Sequence, residues 1–138
     1  MKSDFILAVH GLVYLKHKGC IISSEELAKN ICTNPARVRK VMSKMKKLGL
    51  VTTKEGHVGG YCPCPNLGNA SLEQIAAGMH TVFVEAKWHS GSDKMHCLIS
   101  SGMAGIFDDI YAKLDQRCKE ELGGITIGKI ESKIFAEK

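Results

Sequence analysis

Val38, Val41, Met42, Met45 and Leu48 recur at a spacing that puts them on one face of a helix. The rest of that helix's circumference carries Arg37, Arg39, Lys40, Lys44, Lys46 and Lys47, with no acidic residue among them. Arg37, Lys40, Lys44 and Lys47 read as one cationic ridge. Asn34-Pro35 supplies an N-cap and a proline at the first helical position, and Gly49 stops the helix. Such a segment has to dock by its apolar stripe and turn its charge outward. Like charges three and four residues apart cost it stability. A polyanion removes that cost, and nucleic acid is the partner the pattern most plainly suggests.

The flanking sequence sets this helix in a larger unit. An apolar helix over about 4–17 ends at Gly19, and Ser23-Ser24-Glu25-Glu26 is a capping box opening a short helix through Leu27, Ala28 and Ile31. A short helix, a tight turn and a basic helix form a helix-turn-helix. Leu50 to Lys54 has strand character, residues 55–60 hold three glycines, and Tyr61-Cys62 begins a return strand, so a two-stranded wing follows. Residues 1–66 therefore read as a winged helix-turn-helix DNA-binding domain.

Residues 67–138 read as a linker helix, a sensor loop and dimerisation helices. Ser71-Leu-Glu-Gln74 is a second capping box, and residues 80–100 are irregular, with Trp88 read as anchoring the loop in preference to lining a ligand pocket against Phe83 and the long helix. A long helix over about 102–122 carries Met103, Ile106, Phe107, Ile110, Leu114 and Cys118 as a continuous stripe, and Gly123-Gly124 breaks it. Met103, Ile106, Phe107, Ile110 and Leu114 are the candidate interface of a symmetric dimer, which a reader of palindromic half-sites needs. Thr126 caps a last helix. The fold class expected is mainly α with a small β-wing, a winged helix-turn-helix plus a long C-terminal dimerisation helix.

Charge is divided along the chain. Residues 1–60 carry 11 Lys/Arg against 4 Asp/Glu, and residues 61–138 carry 8 against 10, which together give the net +5. A basic front suits polyanion binding and the acidic rear suits protein contact. No apolar run approaches the ~18 residues of a membrane span and no signal-peptide layout opens the chain, so a cytoplasmic protein without membrane partners is expected. Six cysteines without a CxxC pair argue for reduced thiols rather than a disulfide framework or a zinc site. Cys20, Cys32 and Cys118 read as small core residues. Cys97 is the first sensor candidate, because the start of a helix favours thiolate. Cys62 and Cys64, two apart in a strand and so on one face, are the others, as resolving thiols or soft-metal ligands. No nucleophile elbow, phosphate loop or HExxH is present, so no catalytic or metal residue is assigned and no enzyme is expected. The competing class is a thiol-based redox or metal-binding protein whose basic helix docks an acidic protein.

The order and spacing of these pieces resemble the Rrf-two family of bacterial winged-helix regulators. The resemblance is carried by Ser24-Glu-Glu-Leu-Ala28, Met45-Lys-Lys-Leu-Gly-Leu-Val51, Gly56-His-Val-Gly-Gly-Tyr61, Ala70-Ser-Leu-Glu-Gln-Ile75 and the closing Thr126-Ile127 with Ile130. It implies a homodimeric transcriptional regulator whose long helices cross and whose affinity for double-stranded DNA is set by an effector, here an unidentified small molecule or oxidant. Ala36, Arg37, Arg39 and Lys40 match the family's base-reading positions. From the helix itself, the turns from Asn34 to Lys40 would enter the major groove, with Ser43, Lys44 and Lys47 touching phosphates. His57, Gly59 and Gly60 would approach the minor groove, and Lys2, Ser3 and Ser24 would clamp phosphates. The chain departs from the pattern in two places. Cluster-binding members have three cysteines where this chain has only Cys97, so no iron–sulfur cluster or other cofactor is expected. Tyr61-Cys-Pro-Cys-Pro65 replaces an apolar strand.

Overall fold

A computed structural model describes residues 2–136. Its elements are α1 (Lys2–Lys18), α2 (Ser24–Ile31), α3 (Pro35–Lys47), β1 (Val51–Lys54), β2 (Gly60–Pro63), α4 (Leu72–Gly78), α5 (Leu98–Leu122) and α6 (Ile127–Ala136). This is the winged-helix architecture expected, with helices predominating over one two-stranded antiparallel sheet.

One hydrophobic core joins Leu12 and Leu15 of α1, Leu27 of α2, Met42 and Met45 of α3, Ile75 of α4 and Ile127 of α6, all withdrawn from solvent. Burying each such side chain contributes about 1.5–3 kcal/mol. The core runs across residue 66 without interruption, because α6 returns to pack on α1. There the Glu131 carboxylate accepts from Lys16 Nζ at 2.5 Å and lies 3.1 Å from His17 Nδ1. The Lys16 hydrogen bond lowers the Glu131 pKa; burial opposes it, and His17 reinforces it. α1 and α3 approach closely at Gly11, where a Cβ would come within 2.6 Å of the Met42 side chain.

The caps form largely as the sequence indicates. Ser23 Oγ accepts from the Glu26 N–H at 3.1 Å, and Ser71 Oγ from the Gln74 N–H at 3.0 Å. The reciprocal half of the first box is diverted, however: the Glu26 carboxylate accepts from the Tyr14 hydroxyl at 2.7 Å and so ties α2 to α1. Asn34 Oδ1 accepts from the Arg37 N–H at 2.8 Å and opens α3.

The wing pairs Val51 with Pro63 and Lys54 with Gly60. It is fixed to the linker before α2 by reciprocal backbone bonds between Ile22 and Tyr61, at 2.8 and 2.9 Å. Gly60 has φ +154° and lies directly against the backbone of Ile22 and Ser23, leaving no room for a side chain.

Three cysteines depart from expectation. Cys20 and Cys32 are exposed and Cys118 is half-buried. Cys32 caps α2 in the left-handed conformation, φ 66°, which turns its side chain out of the core. α5 also begins four residues earlier than the sequence pattern indicates, at Leu98, with Cys97 as its N-cap. Its 25 residues extend about 37 Å, and Asp115 is its one buried residue.

Candidate nucleic-acid interface

The stripe that docks α3 is buried: Val38, Val41, Met42 and Met45 are at most 1% exposed. Opposite it, Ala36, Lys40, Ser43 and Lys47 follow one another at i, i+4, i+7 and i+11, all exposed. This row, rather than Arg37-Lys40-Lys44-Lys47, is the outward ridge, because Arg37 and Lys44 sit half-buried on its flank. Among the described residues Lys40, Lys44 and Lys47 form no salt bridge.

The remaining basic groups of α3 are tethered. Arg37 Nε and Nη2 donate to Asp4 Oδ1 at 3.0 and 2.9 Å, and Nη2 also donates to Ser3 Oγ at 2.8 Å. That clamp holds the start of α1 to the start of α3, so Arg37 acts first as a strut. No sequence pattern signals a partner 33 residues away. Arg39 Nη1 donates to Ser24 Oγ at 3.3 Å and lies 3.8 Å from a Glu25 carboxylate oxygen. Both partners are solvent-facing, so this tether is weak. Lys46 Nζ donates to Thr53 Oγ1 at 3.0 Å and braces the wing against α3.

Lys2 is exposed at the start of α1, and His57 is exposed in the wing turn. Gly59 and Gly60 have structural duties of their own: a Cβ on Gly59 would collide with the Lys54 carbonyl, and Gly60 is pressed on Ile22.

The sensor candidates are separated by type. Cys97 is exposed, and the N–H groups of Ser100 and Ile99 at the start of α5 hold its thiol below the ordinary value, although no full hydrogen bond closes on the sulfur. Cys62 and Cys64 are half-buried, and β2 ends at Pro63, so only Cys62 lies in the strand. Cys64 continues past it, its N–H donating to the Leu50 carbonyl at 3.1 Å.

The stripe of α5 is largely uncovered: Ile106, Phe107, Ile110 and Leu114 are 42–56% exposed, and Met103 is half-buried. A second apolar surface, a groove of about 530 Å³ between α1 and α6, is lined by Phe5, Ile6, Val9, Val13, Ile130 and Ile134 among others. Trp88 does not anchor its loop. It is 79% exposed, while Phe83 turns away to meet Phe5 edge-to-face at 5.3 Å. No helix among the described residues is long and apolar enough to cross a membrane.

The Rrf2 family, described as an iron-dependent transcriptional regulator, matches residues 1–132. No curated protein matches the chain. Among solved structures, a Lactobacillus plantarum protein described as a candidate transcriptional regulator superposes with TM-score 0.84 at 24% identity, over 97% of this chain and 91% of that one. The T. potens protein IscR gives 0.71 at 13% identity, over 100% of this chain and 90% of that one. CymR, the global cysteine regulator of B. subtilis, gives 0.67 at 14% identity, over 96% of each. At these identities the likeness is one of fold. Iron finds no matching donor set here: among the described residues no group of three or more His, Cys, Asp or Glu is gathered to hold a metal ion. Cys97 is the one thiol between α4 and α5, and His89 is engaged by Asp108 at 2.7 Å. With the family matched over nearly its whole length and the winged fold in place, the chain belongs to the Rrf2 family of transcriptional regulators.

Proposed function

We propose that this chain regulates transcription by binding a palindromic DNA operator as a homodimer, with α3 in the major groove and the wing beside it. The observation that carries the proposal is the ridge Ala36-Lys40-Ser43-Lys47, exposed and without a salt bridge to an acidic side chain among the described residues, on a helix whose other face is buried in the core. Arg39 and Lys40 are the base-reading candidates, within reach of guanine O6 and N7. Lys44 and Lys47 meet phosphates, as do Lys2 and Ser24 at the starts of α1 and α2. Arg37 joins them only where DNA competes with Asp4.

The dimer is supported by the uncovered stripe of α5. Several large apolar side chains in one row on a water-facing helix are destabilising until a second surface covers them, and two copies related by a two-fold axis cover each other.

Redox switching is supported by Cys97, an exposed thiol at the start of that same helix, where the N–H groups of Ser100 and Ile99 lower its pKa from the ordinary value. Its oxidation would alter the N-terminal end of the dimer helix and release DNA. Selection of bound fragments from random duplexes, with and without peroxide, tests both statements. The expected result is an inverted repeat recovered only without peroxide, and peroxide resistance for Cys97→Ser. Sequence-blind recovery would reject the operator. An undiminished peroxide response in Cys97→Ser would reject the sensor.

A further inference from the structure

The segment after α4 is a strap laid along α5 and pinned at three points. Phe83 and Val84 N–H donate to Asp115 Oδ1 at 2.6 and 3.0 Å. His89 Nε2 lies 2.7 Å from Asp108 Oδ1. Ser92 N–H donates to the Ser100 carbonyl at 3.1 Å, with Gly91 (φ +70°) packed so tightly on Ser100 that no Cβ fits. The pins on α5 are seven and eight residues apart, two helical turns each, and so lie on one face. Around the middle pin the strap bows away and leaves a cavity of about 430 Å³ floored by Met103, Ala104, Phe107 and Tyr111.

We propose that this cavity binds a small planar aromatic molecule carrying a hydrogen-bond-accepting group. Its volume falls within the usual range for small-ligand sites, ~300–1,000 Å³. Its lining includes three large aromatic side chains: Trp88, the only tryptophan in the chain, and Phe107, which meets Tyr111 edge-to-face at 6.0 Å. A flat ring stacks on such faces where an aliphatic group of equal size does not. Lys87 and Ser90, both among the lining residues, carry hydrogen-bond donors against the single carboxylate of Glu85, and Lys87 has no ion pair among the described residues. Phe107 belongs both to this floor and to the exposed stripe of α5. An occupant therefore touches the dimer helix, a consequence that rests on the regulator reading, whereas binding itself does not.

The test is a titration of the full-length protein with 2-naphthoate, read on the single indole N–H resonance of Trp88 in the absence of DNA. The expected result is a saturable shift with a dissociation constant of about 1 mM or tighter. It should be at least ~10-fold weaker for cyclohexanecarboxylate, which keeps the charge and lacks the ring. Ala104→Phe should fill the cavity and abolish the shift, and Tyr111→Ala should weaken it. Ile134→Glu, in the groove between α1 and α6, and Lys47→Ala, on α3, should leave it intact. The proposal is overturned by a shift that never saturates, by equal affinity for the two acids, or by an undiminished response in both Ala104→Phe and Tyr111→Ala. Loss of DNA binding in Lys47→Ala with the naphthoate shift preserved separates this site from the operator contact.

Discussion

Lys47→Ala removes one cation from the exposed ridge of α3, and its effect can be worked out in advance. The side chain is exposed and forms no salt bridge among the described residues, so no internal acid offsets its charge. A lysine meeting a phosphate releases counterions, and each neutralised phosphate adds about 0.9 to the slope of log K against log salt. A dimer places two copies of Lys47 on the duplex, so the variant should lose about 1.8 from that slope. If the remaining contacts are unchanged at 1 M salt, the affinity lost at 0.1 M is about 60-fold, or ~2.5 kcal/mol. The loss should be nearly equal for operator and random duplex, because phosphates carry no sequence information. Thermal stability should stay within about 0.5 kcal/mol of the parent, since an exposed lysine on a like-charged face holds nothing together. The assay is fluorescence anisotropy of a labelled duplex at four salt concentrations. An unchanged slope would refute the contact. A change of only ~0.9 would refute the paired arrangement while sparing the contact.

Three further outcomes follow from other parts of the molecule. Arg39→Ala should cost about 1–3 kcal/mol on the preferred operator and relax choice at one base pair per half-site, measured by competition among single-base variants; uniform weakening would make Arg39 a phosphate contact instead. Leu114→Asp should convert the dimer to monomer in sedimentation at micromolar concentration, since a charge at the C-terminal end of the covered α5 stripe would be buried unpaired; a parent protein already monomeric there would contradict the proposed interface. Burial disfavours ionisation of Asp115, but Lys119 and the N–H groups of Val84 and Phe83 outweigh it and hold its carboxyl below the ordinary value. Its contribution to stability is therefore complete above the unfolded pKa and lost as pH falls through the folded one. Asp115→Asn should flatten that acid limb and speed amide exchange at Phe83 and Val84; an unaltered acid limb would show that the strap is held by something else.

Much of this fold is legible in local chemistry. Ser23, Asn34 and Ser71 cap the helices whose starts they announce, because a cap is read from residues three apart in sequence. The buried stripe of α3 is equally plain from its spacing. What escapes is what depends on distant partners. Arg37 looks like any other base of α3 until Asp4 is brought beside it, and this shifts the outward ridge to Ala36, Lys40, Ser43 and Lys47. Residue type sent Cys20 and Cys32 to the core, whereas turn geometry puts them in water. Trp88 suggested an anchor because a large apolar ring usually finds cover. The strap instead holds to α5 through backbone groups, His89 and Asp108, and leaves the indole outside. The start of α5 was masked by Ser100, Ser101 and Gly102, weak helix formers that the strap's contact at Ser100 accommodates.

The central claim is that the cationic face of α3 lies against duplex DNA, and lysine acetylation rates measured with and without an operator duplex test it most directly. The account predicts that Lys40 and Lys47 are strongly protected by the duplex while Lys94, exposed in the strap far along the sequence from α3, reacts as before. Protection of Lys94 with Lys40 and Lys47 still freely acetylated would contradict it.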